Sequence, residues 1–347
     1  MRAPHIVVVG GGILGCTIAS RLLEREPRAR LTLVDRGLIG SGASMYSAGV
    51  HFPVGRSERV RRLSAASADY YQTLSAGHPQ LPMHGFDFFV AADAADAEAV
   101  RARCAGLLPV TAEERLSLAS DLPAGRELWR LPACHVTDVQ ALALWQARRL
   151  RERAEVLEGV GVEALDEGAD GVRVVLSSGR TLAADAVVLA PGPWANEGCW
   201  RELTAALGIR VKKVVALHLQ RPPEEGRALF FPVEDAFLAP LPHRGHWLFS
   251  YTCQQWDPAP EAGRLEAREI AEAREALLGV APALAPLLGS GRVFCDAYSP
   301  SREPLAQYVG RHQRILFVGA GNGSGYRLAP GIAAEAVALL NPTLTNG

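Results

Sequence analysis

The order of apolar and polar residues at the N-terminus predicts the start of a parallel α/β unit. Residues 6–9 form an uninterrupted apolar run, which predicts a buried strand, and residues 13–25 have apolar positions at helical spacing. A break at Pro27 separates this helix from a second apolar run at 31–34. A strand, a helix and a second strand in such close succession are typical of a βαβ unit.

Strict alternation of strands and helices stops after this unit. Small residues follow at 40–44 and 47–50, where a doubly wound sheet would continue with further strands and helices. The later pattern predicts helices at 57–74, 139–153, 265–278 and 330–340, strands at 85–90, 214–219, 246–251 and 315–318, and a strand pair of 171–176 with 186–190 around a turn at 178–180.

These elements predict an α/β fold in which two domains are interleaved in sequence. Rossmann-like elements occur at the start, in the middle and at the end of the chain, and β-rich stretches lie between them. We expect a discontinuous Rossmann-like domain at 1–50, 140–205 and 311–347, and a β-rich α+β domain at 51–139 and 206–310. The length of 347 residues also favours two structural units over one.

Composition and charge narrow the range of partners. The 36 basic and 37 acidic residues leave a formal charge of -1, so no overall field favours nucleic acid, and small molecules are the expected partners. No segment reaches the roughly 18 uncharged apolar residues that a membrane-spanning helix needs. The six cysteines lie far apart without a C-x-x-C pair, which is typical of reduced thiols. We therefore expect a cytoplasmic protein without a membrane span.

The first glycine turn has the pattern that nucleotide-binding βαβ units need. Gly10, Gly12 and Gly15 form G-x-G-x-x-G between a strand and a helix, and Asp35 ends the next strand at the roughly 20-residue distance of the dinucleotide fingerprint. The glycines let the backbone approach a pyrophosphate, and the acid accepts hydrogen bonds from a ribose. The alternative is a structural turn whose Asp35 only caps the next loop. FAD and NAD share this fingerprint, so it does not choose between them.

Three further segments resemble signatures of the D-amino acid oxidase family, which includes glycine oxidase and sarcosine oxidase. They are Gly40-Ser41-Gly42-Ala43-Ser44, the run from Asp185 to Trp194, and the run from Gly319 to Pro330. Together with the N-terminal glycines, they follow the order and spacing of the family over nearly the whole chain. The resemblance implies a Rossmann-like FAD-binding domain interleaved with a β-rich α+β substrate domain.

The resemblance also indicates which residues hold FAD. Hydroxyl groups and closely spaced amides around Ser41 and Ser44 are suited to bind phosphate or flavin oxygens. Val162 matches the position whose backbone contacts adenine, although Val160 fits that register too, and Trp194 could equally be a packing residue. The expected cofactor-binding residues are Gly10, Gly12, Ile13, Leu14, Gly15, Asp35, Arg36, Ser41, Gly42, Ala43, Ser44, Gly49, Val162, Ala190, Gly192, Trp194, Gly321, Asn322, Gly323, Ser324, Gly325, Tyr326 and Arg327.

The glycine-rich loop at 321–325 precedes the last predicted helix. Its amides are suited to stabilise the negative charge that develops at flavin N1 and the C2 carbonyl when the flavin accepts a hydride. Sarcosine oxidases have a basic residue after this loop, and Arg327 matches it. The guanidinium could bind a substrate carboxylate, or it could anchor the loop through a salt bridge. The residues expected to face the substrate are Arg327, Tyr326, Tyr251 and His51.

The substrate-binding pattern of the family is incomplete in this chain. Ser299 stands where many members have an arginine before a proline, and Arg302 is displaced by three residues. Either Arg327 then binds the carboxylate alone, Arg56 or His51 compensates, or the substrate has no carboxylate.

Other candidate chemistry is sparse. Cys295 lies near the position where sarcosine oxidases attach flavin covalently, but in a different register, so we expect noncovalent FAD. His243 and His246 lie in a turn with flanking proline and glycine, and no third ligand has suitable spacing, so we expect surface histidines and no metal site.

The residues favour an FAD-dependent oxidase of a small amine or amino acid. Hydride transfer to flavin N5 would give an imine that hydrolyses, and oxygen would reoxidise the flavin. The alternatives are a dehydrogenase that uses another electron acceptor, oxidation of a 2-hydroxy acid, a non-catalytic flavin-binding subunit, and an NAD-dependent dehydrogenase.

Overall fold

The computed structural model describes residues 2–104, 106–224, 227–261 and 263–345. The strands among them are β1 (His5–Val9), β2 (Arg30–Val34), β3 (Val50–His51), β4 (Met83–Ala92), β5 (Leu108–Pro109), β6 (Glu127–Thr137), β7 (Glu155–Leu157), β8 (Val162–Glu167), β9 (Val172–Leu176), β10 (Thr181–Ala184), β11 (Ala186–Leu189), β12 (Arg210–Leu219), β13 (Arg227–Phe231), β14 (Ala236–Leu241), β15 (His246–Tyr251), β16 (Leu288–Tyr298), β17 (Leu305–Val309) and β18 (Ile315–Gly319). The α-helices are α1 (Ile13–Arg25), α2 (Ala43–Tyr46), α3 (Glu58–Gly77), α4 (Ala97–Arg103), α5 (Ala112–Leu118), α6 (Val139–Leu150), α7 (Arg201–Thr204), α8 (Ala267–Val280) and α9 (Gly325–Thr345).

The chain forms two compact units that are interleaved in sequence. The first unit comprises Met1–Ser47, Val139–Lys212 and Cys295–Gly347, and the second comprises Ala48–Asp138 and Lys213–Phe294. The chain returns to the first unit at Cys295, earlier than the limit at 311 that the sequence suggested, because β16 runs on from the last apolar segment of the second unit. The α/β fold class is confirmed.

The first unit is built on a mostly parallel sheet. Its strand order is β17-β18-β11-β1-β2-β7, and only the edge strand β17 runs antiparallel to its neighbour. All five residues of β1 are buried, as expected for a central strand of a parallel sheet. Helix α1 begins and ends at the predicted residues and packs against α6 and α9. The strand order places the ends of β1, β2 and β11 side by side.

The predicted pairing of 171–176 with 186–190 is wrong. A tight turn at Gly179, whose φ is +80°, returns the chain as β10, and it is β10 that pairs with β9. Strand β11 instead enters the large sheet between β1 and β18. Each of its four residues is buried, which fits a central parallel strand rather than one arm of a hairpin.

The last helix begins earlier than predicted. It starts at Gly325 and not at Pro330, so Pro330 lies inside the helix although a proline there lacks the N–H that the helical hydrogen bond needs. This start brings Tyr326 and Arg327 into the first helical turn.

The second unit is a mixed β-sheet with a buried core on each face. Its order is β16-β12-β15-β14-β13-β4-β6-β3, with β5 paired to β6. One face packs its apolar residues against α8, through side chains such as Leu217, Phe249 and Leu277. The opposite face has a separate apolar cluster around Phe88 and Phe230. Because side chains alternate between the two faces along a strand, each residue of β12, β15 and β16 can be assigned to one face.

No α-helix in the described part of the chain is both long enough and apolar enough to cross a membrane.

Candidate FAD site

The turn after β1 requires glycine at two positions. Gly10 has a φ of +106°, and a Cβ atom on it would lie 2.2 Å from the carbonyl oxygen of Ala190. A Cβ atom on Gly15 would lie 1.9 Å from the carbonyl oxygen of Gly10. These distances are far below van der Waals contact, so only glycine lets α1 and the β11 end approach β1 so closely.

The N-cap residue of α1 has no side chain of its own to cap the helix. Gly12 is the N-cap residue, with an extended backbone and no side-chain cap hydrogen bond. The next amide, that of Ile13, donates to Ser44 Oγ at 2.9 Å, which places the predicted serine directly at this helix end. Leu14 follows in the same turn. Amides and the helix dipole at such an end favour a phosphate.

Asp35 lies at the carboxyl end of β2, beside the glycine turn. Its Oδ2 accepts a hydrogen bond from Gly11 N at 2.6 Å, and its Oδ1 accepts one from Gly37 N at 2.7 Å. Burial raises the pKa of the Asp35 carboxyl, while these two backbone hydrogen bonds act in the opposite direction. Each carboxylate oxygen still has a lone pair that a ribose hydroxyl can use.

Arg36, Gly42 and Trp194 come together although they are far apart in sequence. The guanidinium of Arg36 lies 4.4 Å from the centroid of the Trp194 ring, a cation–π contact. A Cβ atom on Gly42 would lie 3.1 Å from the same ring. Trp194 ends the 3-10 turn Gly192–Trp194, so the predicted segments at 40–44 and 185–194 are neighbours.

The remaining residues of the predicted cofactor set are less closely joined to this group. Ser41 Oγ donates to Leu38 O at 2.7 Å, and Ala43 begins α2. Val162 begins β8, whereas the amide of Val160 donates to Asp35 O at 3.0 Å, so the choice between these two valines stays open. Gly49 has a φ of +68° and belongs to the second unit.

The glycine-rich loop at the end of the chain is held by an aspartate that the sequence did not single out. Asp296 Oδ2 accepts a hydrogen bond from Gly323 N at 2.8 Å, and Oδ1 accepts one from Ala297 N at 2.8 Å. Burial raises the pKa of the Asp296 carboxyl to about 6. Asn322 Oδ1 accepts a hydrogen bond from Ser299 N at 3.0 Å. Asn322 N also donates to Ala297 O at 3.2 Å. The loop is thus tied to β16 at Asp296 and Ala297, and to Ser299 directly after β16, and the only sequence signal for this was an acidic residue inside a β-rich run.

Tyr326 and Arg327 lie in the first turn of α9, directly after this loop. Tyr326 is buried, and Arg327 is half-buried with its Nη2 donating to Ser324 Oγ at 2.9 Å. A Cβ atom on Gly325 would have no neighbour within 4 Å. The backbone at the start of α9 is therefore open on the side of Gly325.

Ser299 does not replace the missing arginine. It is buried, and its hydroxyl donates to Glu303 O at 2.6 Å within the same turn. Arg302 is exposed with a φ of +57°. Cys295 is buried in β16, and noncovalent attachment of FAD stays a prediction.

Tyr251 and His51 both belong to the second unit. The Tyr251 hydroxyl donates to Glu269 O at 3.3 Å and to Glu272 Oε2 at 3.2 Å, so it contacts α8. The ring of His51 is fully buried and stacks on His135 at 5.0 Å. These contacts resemble core packing, and a substrate-facing role for the two residues stays a prediction.

The other basic candidates, Arg56, His243 and His246, belong to the second unit. Arg56 forms an ion pair with Asp235 at 3.0 Å, so its charge has a partner within the second unit. His243 and His246 are half-buried and not at the surface as expected. Among the described residues, no group of three or more His, Cys, Asp and Glu residues could hold a metal ion.

The first unit combines a parallel sheet with a glycine turn after β1, an acidic residue at the end of β2 and a second glycine-rich loop before α9. These features define a dinucleotide-binding oxidoreductase fold. The chain matches the family DAO, described as FAD dependent oxidoreductase, over residues 5–339. It therefore belongs to this family, and the resemblance seen in the sequence is confirmed. A comparison with curated protein sequences found no match.

Several solved structures have the same fold. L-proline dehydrogenase from P. horikoshii has a TM-score of 0.83 at 18% identity, over 98% of this chain and 94% of that one. Glycine oxidase from Geobacillus kaustophilus has a TM-score of 0.80 at 18% identity, over 99% and 95%. L-alpha-glycerophosphate oxidase from Mycoplasma pneumoniae, solved with FAD bound, has a TM-score of 0.82 at 15% identity, over 98% and 95%.

The residues of the first unit fit FAD. The amides at the start of α1 suit the diphosphate, Asp35 suits a ribose, and the N-terminus of α9 suits the edge of the flavin ring that becomes negative on reduction. Family membership makes the protein an FAD-dependent oxidoreductase, with a small-molecule substrate and an electron acceptor.

Proposed function

We propose that the protein oxidises a small amine or amino acid with noncovalently bound FAD and passes the electrons to oxygen. When bound, FAD supplies the acceptor for a hydride from the C–H bond next to the substrate nitrogen. The resulting imine takes up water and releases a carbonyl compound and ammonia or an amine. Dioxygen then takes the two electrons and two protons and leaves as hydrogen peroxide.

The observation that carries this proposal is the loop between β18 and α9. Asn322 and Gly323 have φ angles of +54° and +78°. Their amides are hydrogen-bonded within the protein, since Asn322 N donates to Ala297 O and Gly323 N donates to Asp296 Oδ2, and these bonds hold in place the N-terminus of α9, the positive end of that helix. Donors held in place in advance stabilise developing negative charge without reorganisation. A loop that only bound a phosphate would not need this second helix start in addition to α1.

The remaining roles follow from position. Asp35 and the α1 amides would bind the adenosine and diphosphate groups, and Tyr326 would shape the wall beside the α9 start. Arg327 would bind a substrate carboxylate through its guanidinium. Its Nη2 donates to Ser324 Oγ, and a guanidinium has five N–H donors in a planar fork that suits a carboxylate.

The test is anaerobic mixing of the purified holoprotein with glycine, sarcosine, L-proline, D-alanine, simple amines and lactate, followed by admission of air. The proposal requires bleaching of the visible flavin absorbance by an amine or amino acid, and peroxide formation with return of the colour in air. Reduction by lactate alone would favour a hydroxy acid oxidase, and reduction without reoxidation in air would favour a dehydrogenase. A flavin that no compound reduces would contradict the proposal.

Arg327→Ala tests the carboxylate contact. A hydrogen bond to a charged group contributes about 1.5–3 kcal/mol, so the rate constant for flavin reduction at low substrate should fall about 10- to 150-fold, and only for substrates with a carboxylate. Arg311→Ala, which changes an exposed arginine of the same unit, is the matched control. An equal loss with carboxylate-free amines would reject this role for Arg327.

A further inference from the structure

The loop between β2 and α2, residues 36–42, is held from two sides within the first unit. On one side, Gly40 N donates to Gly11 O at 2.9 Å in the glycine turn after β1. On the other side, Gly159 N, from the segment after β7, donates to Gly37 O at 2.9 Å. The loop directly follows the predicted ribose acid, so the position of the loop affects that of the acid.

A carboxylate from the segment after β7 also binds this loop. Glu158 Oε1 accepts a hydrogen bond from Ile39 N at 2.8 Å, and Oε2 accepts one from Arg151, which directly follows α6. The side chain of Glu158 is half-buried, and hydrogen bonds to an ionised acceptor are stronger than those between neutral groups. Glu158 therefore joins the loop to β7 and to the end of α6.

Ile39 connects this contact to the glycine turn. Its side chain is fully buried, and a Cβ atom on Gly11 would lie 2.3 Å from Ile39 Cδ1 and 3.1 Å from Asp35 Oδ2. The amide of Gly11 in turn donates to Asp35 Oδ2 at 2.6 Å. The Ile39 side chain and the Asp35 carboxylate thus lie against the same turn residue. In so closely packed a place, displacement of Ile39 would disturb the carboxylate as well.

Glu158 also lies within electrostatic range of Asp35. Burial is the main cause of the raised pKa of the Asp35 carboxyl, and the charge of Glu158 raises this pKa further, whereas the charge of Arg36 lowers it. Arg151 forms an ion pair with Glu158 and offsets part of its charge. A second carboxylate so near to Asp35 is unfavourable by itself, and its hydrogen bond to Ile39 N is the contact that compensates for it.

We infer that Glu158 is a positioning residue for the adenosine end of FAD. Its carboxylate holds Ile39 against the glycine turn, so that Asp35 stays where it can accept hydrogen bonds from the ribose hydroxyls. Glu158 acts through Ile39 and the loop, and it is not among the residues that the sequence suggested for the cofactor. The inference rests on the part of the proposed function that concerns FAD binding and is independent of the substrate.

The first measurement is the affinity of the full-chain apoprotein for FAD, followed by quenching of flavin fluorescence. Glu158→Ala removes the acceptor of Ile39 N and should weaken FAD binding about 5- to 20-fold, as expected when a contact is lost from within one hydrogen-bond network. Glu158→Gln keeps a carbonyl oxygen for Ile39 N and should bind FAD within about 3-fold of the unmodified protein. The matched control is Glu152→Ala, which changes an exposed glutamate of the same unit and should leave the affinity unchanged.

The second measurement separates positioning of Asp35 from a general loss of stability. The apoprotein is titrated calorimetrically with ADP and with dideoxy-ADP, the analogue that lacks both ribose hydroxyls. The unmodified protein should prefer ADP, because Asp35 accepts hydrogen bonds from these hydroxyls. Glu158→Ala should lower this preference at least about 3-fold, whereas a less stable but otherwise correct site would bind both nucleotides more weakly by the same factor.

Glu158→Asp provides a further variant in case Glu158→Ala does not fold. It keeps the charge but withdraws the carboxylate from Ile39 N by one methylene group, so the preference for ADP over dideoxy-ADP should again fall. Hydrogen exchange of the loop at residues 36–42 should become faster in Glu158→Ala and Glu158→Asp and stay slow in Glu158→Gln.

The failure of this inference and that of the proposed function give different results. Equal FAD affinity of Glu158→Ala and the unmodified protein, or an unchanged preference for ADP, would overturn the role of Glu158 even if amines reduce the flavin. FAD affinity and ADP preference that depend on Glu158, together with a flavin that no amine or amino acid reduces, would support the role of Glu158 and overturn the proposed oxidation.

Discussion

Substitution of Gly15 by alanine tests the close contact between α1 and β1 on which the nucleotide site depends. The new Cβ atom would lie 1.9 Å from the carbonyl oxygen and 3.0 Å from the carbonyl carbon of Gly10. Both are backbone atoms, so no side chain can rotate away. Helix α1 would have to move away from β1 by about 1 Å to reach an acceptable contact.

The movement has a structural and a functional consequence. Helix α1 packs against α6 and α9, so displacement strains a close-packed layer, and overpacking of this kind costs about 1–3 kcal/mol of unfolding free energy. The amides of Ile13 and Leu14 move with the helix. Loss of one charge-assisted hydrogen bond to the diphosphate, about 1.5–3 kcal/mol, would weaken FAD binding about 10- to 150-fold.

Two assays measure these effects. Urea unfolding of the apoprotein gives the change in stability, and titration of the apoprotein with FAD, followed by quenching of flavin fluorescence, gives the dissociation constant. Gly279→Ala is the control, because Gly279 lies in α8 and a Cβ atom there has no neighbour within 4 Å. That substitution should stabilise the protein by about 0.5–1 kcal/mol. Unchanged stability and FAD affinity in Gly15→Ala would refute this account of the turn.

Two further substitutions test charges inside the units. Lys213→Met should lower the free energy of unfolding in urea by about 3–5 kcal/mol, because the buried carboxylate of Glu269 loses its ion-pair partner. Arg173→Met, which breaks an exposed ion pair, should change the free energy of unfolding by less than about 1 kcal/mol. Similar losses in the two variants would contradict this difference. The pKa of Asp296 is raised from 3.8 to about 6, so the folded chain holds this proton more tightly than the unfolded chain does. The resulting stabilisation of up to about 3 kcal/mol is complete below pH 4 and is lost as the pH rises through 6. Urea unfolding from pH 4 to 7 tests this. The free energy of unfolding of the unmodified protein should fall over this range relative to that of Asp296→Asn, and a difference between the two proteins that does not vary with pH would contradict the prediction.

Local sequence signals were enough to predict the N-terminal strand, the glycine turn and the helix that follows it. The apolar run of β1, the glycines at 10, 12 and 15, and Asp35 all lie within one short segment, so spacing along the chain fixes their geometry. Helix α1 has the predicted limits for the same reason. The glycines before α9 predicted the loop there. The predicted start of α9 is too late, because proline is common at the first position of a helix and this favoured Pro330 as the start.

Features that depend on distant strands could not be predicted. Strand β11 resembled one arm of a hairpin, because its sequence neighbour β10 is short and its real partners, β1 and β18, come from opposite ends of the chain. Asp296 is one acidic residue in a β-rich run. Its role arises only when the loop before α9 reaches β16 and Gly323 N donates to its carboxylate, and no local pattern shows that contact.

The central claim is that FAD, held by the first unit, oxidises a small amine or amino acid. Anaerobic addition of amino acids and simple amines to the purified holoprotein tests it most directly, with the visible flavin spectrum as the readout. The account predicts a yellow protein whose flavin absorbance bleaches with at least one of these compounds. A colourless protein that binds no FAD, or a bound flavin that none of these compounds reduces, would contradict it.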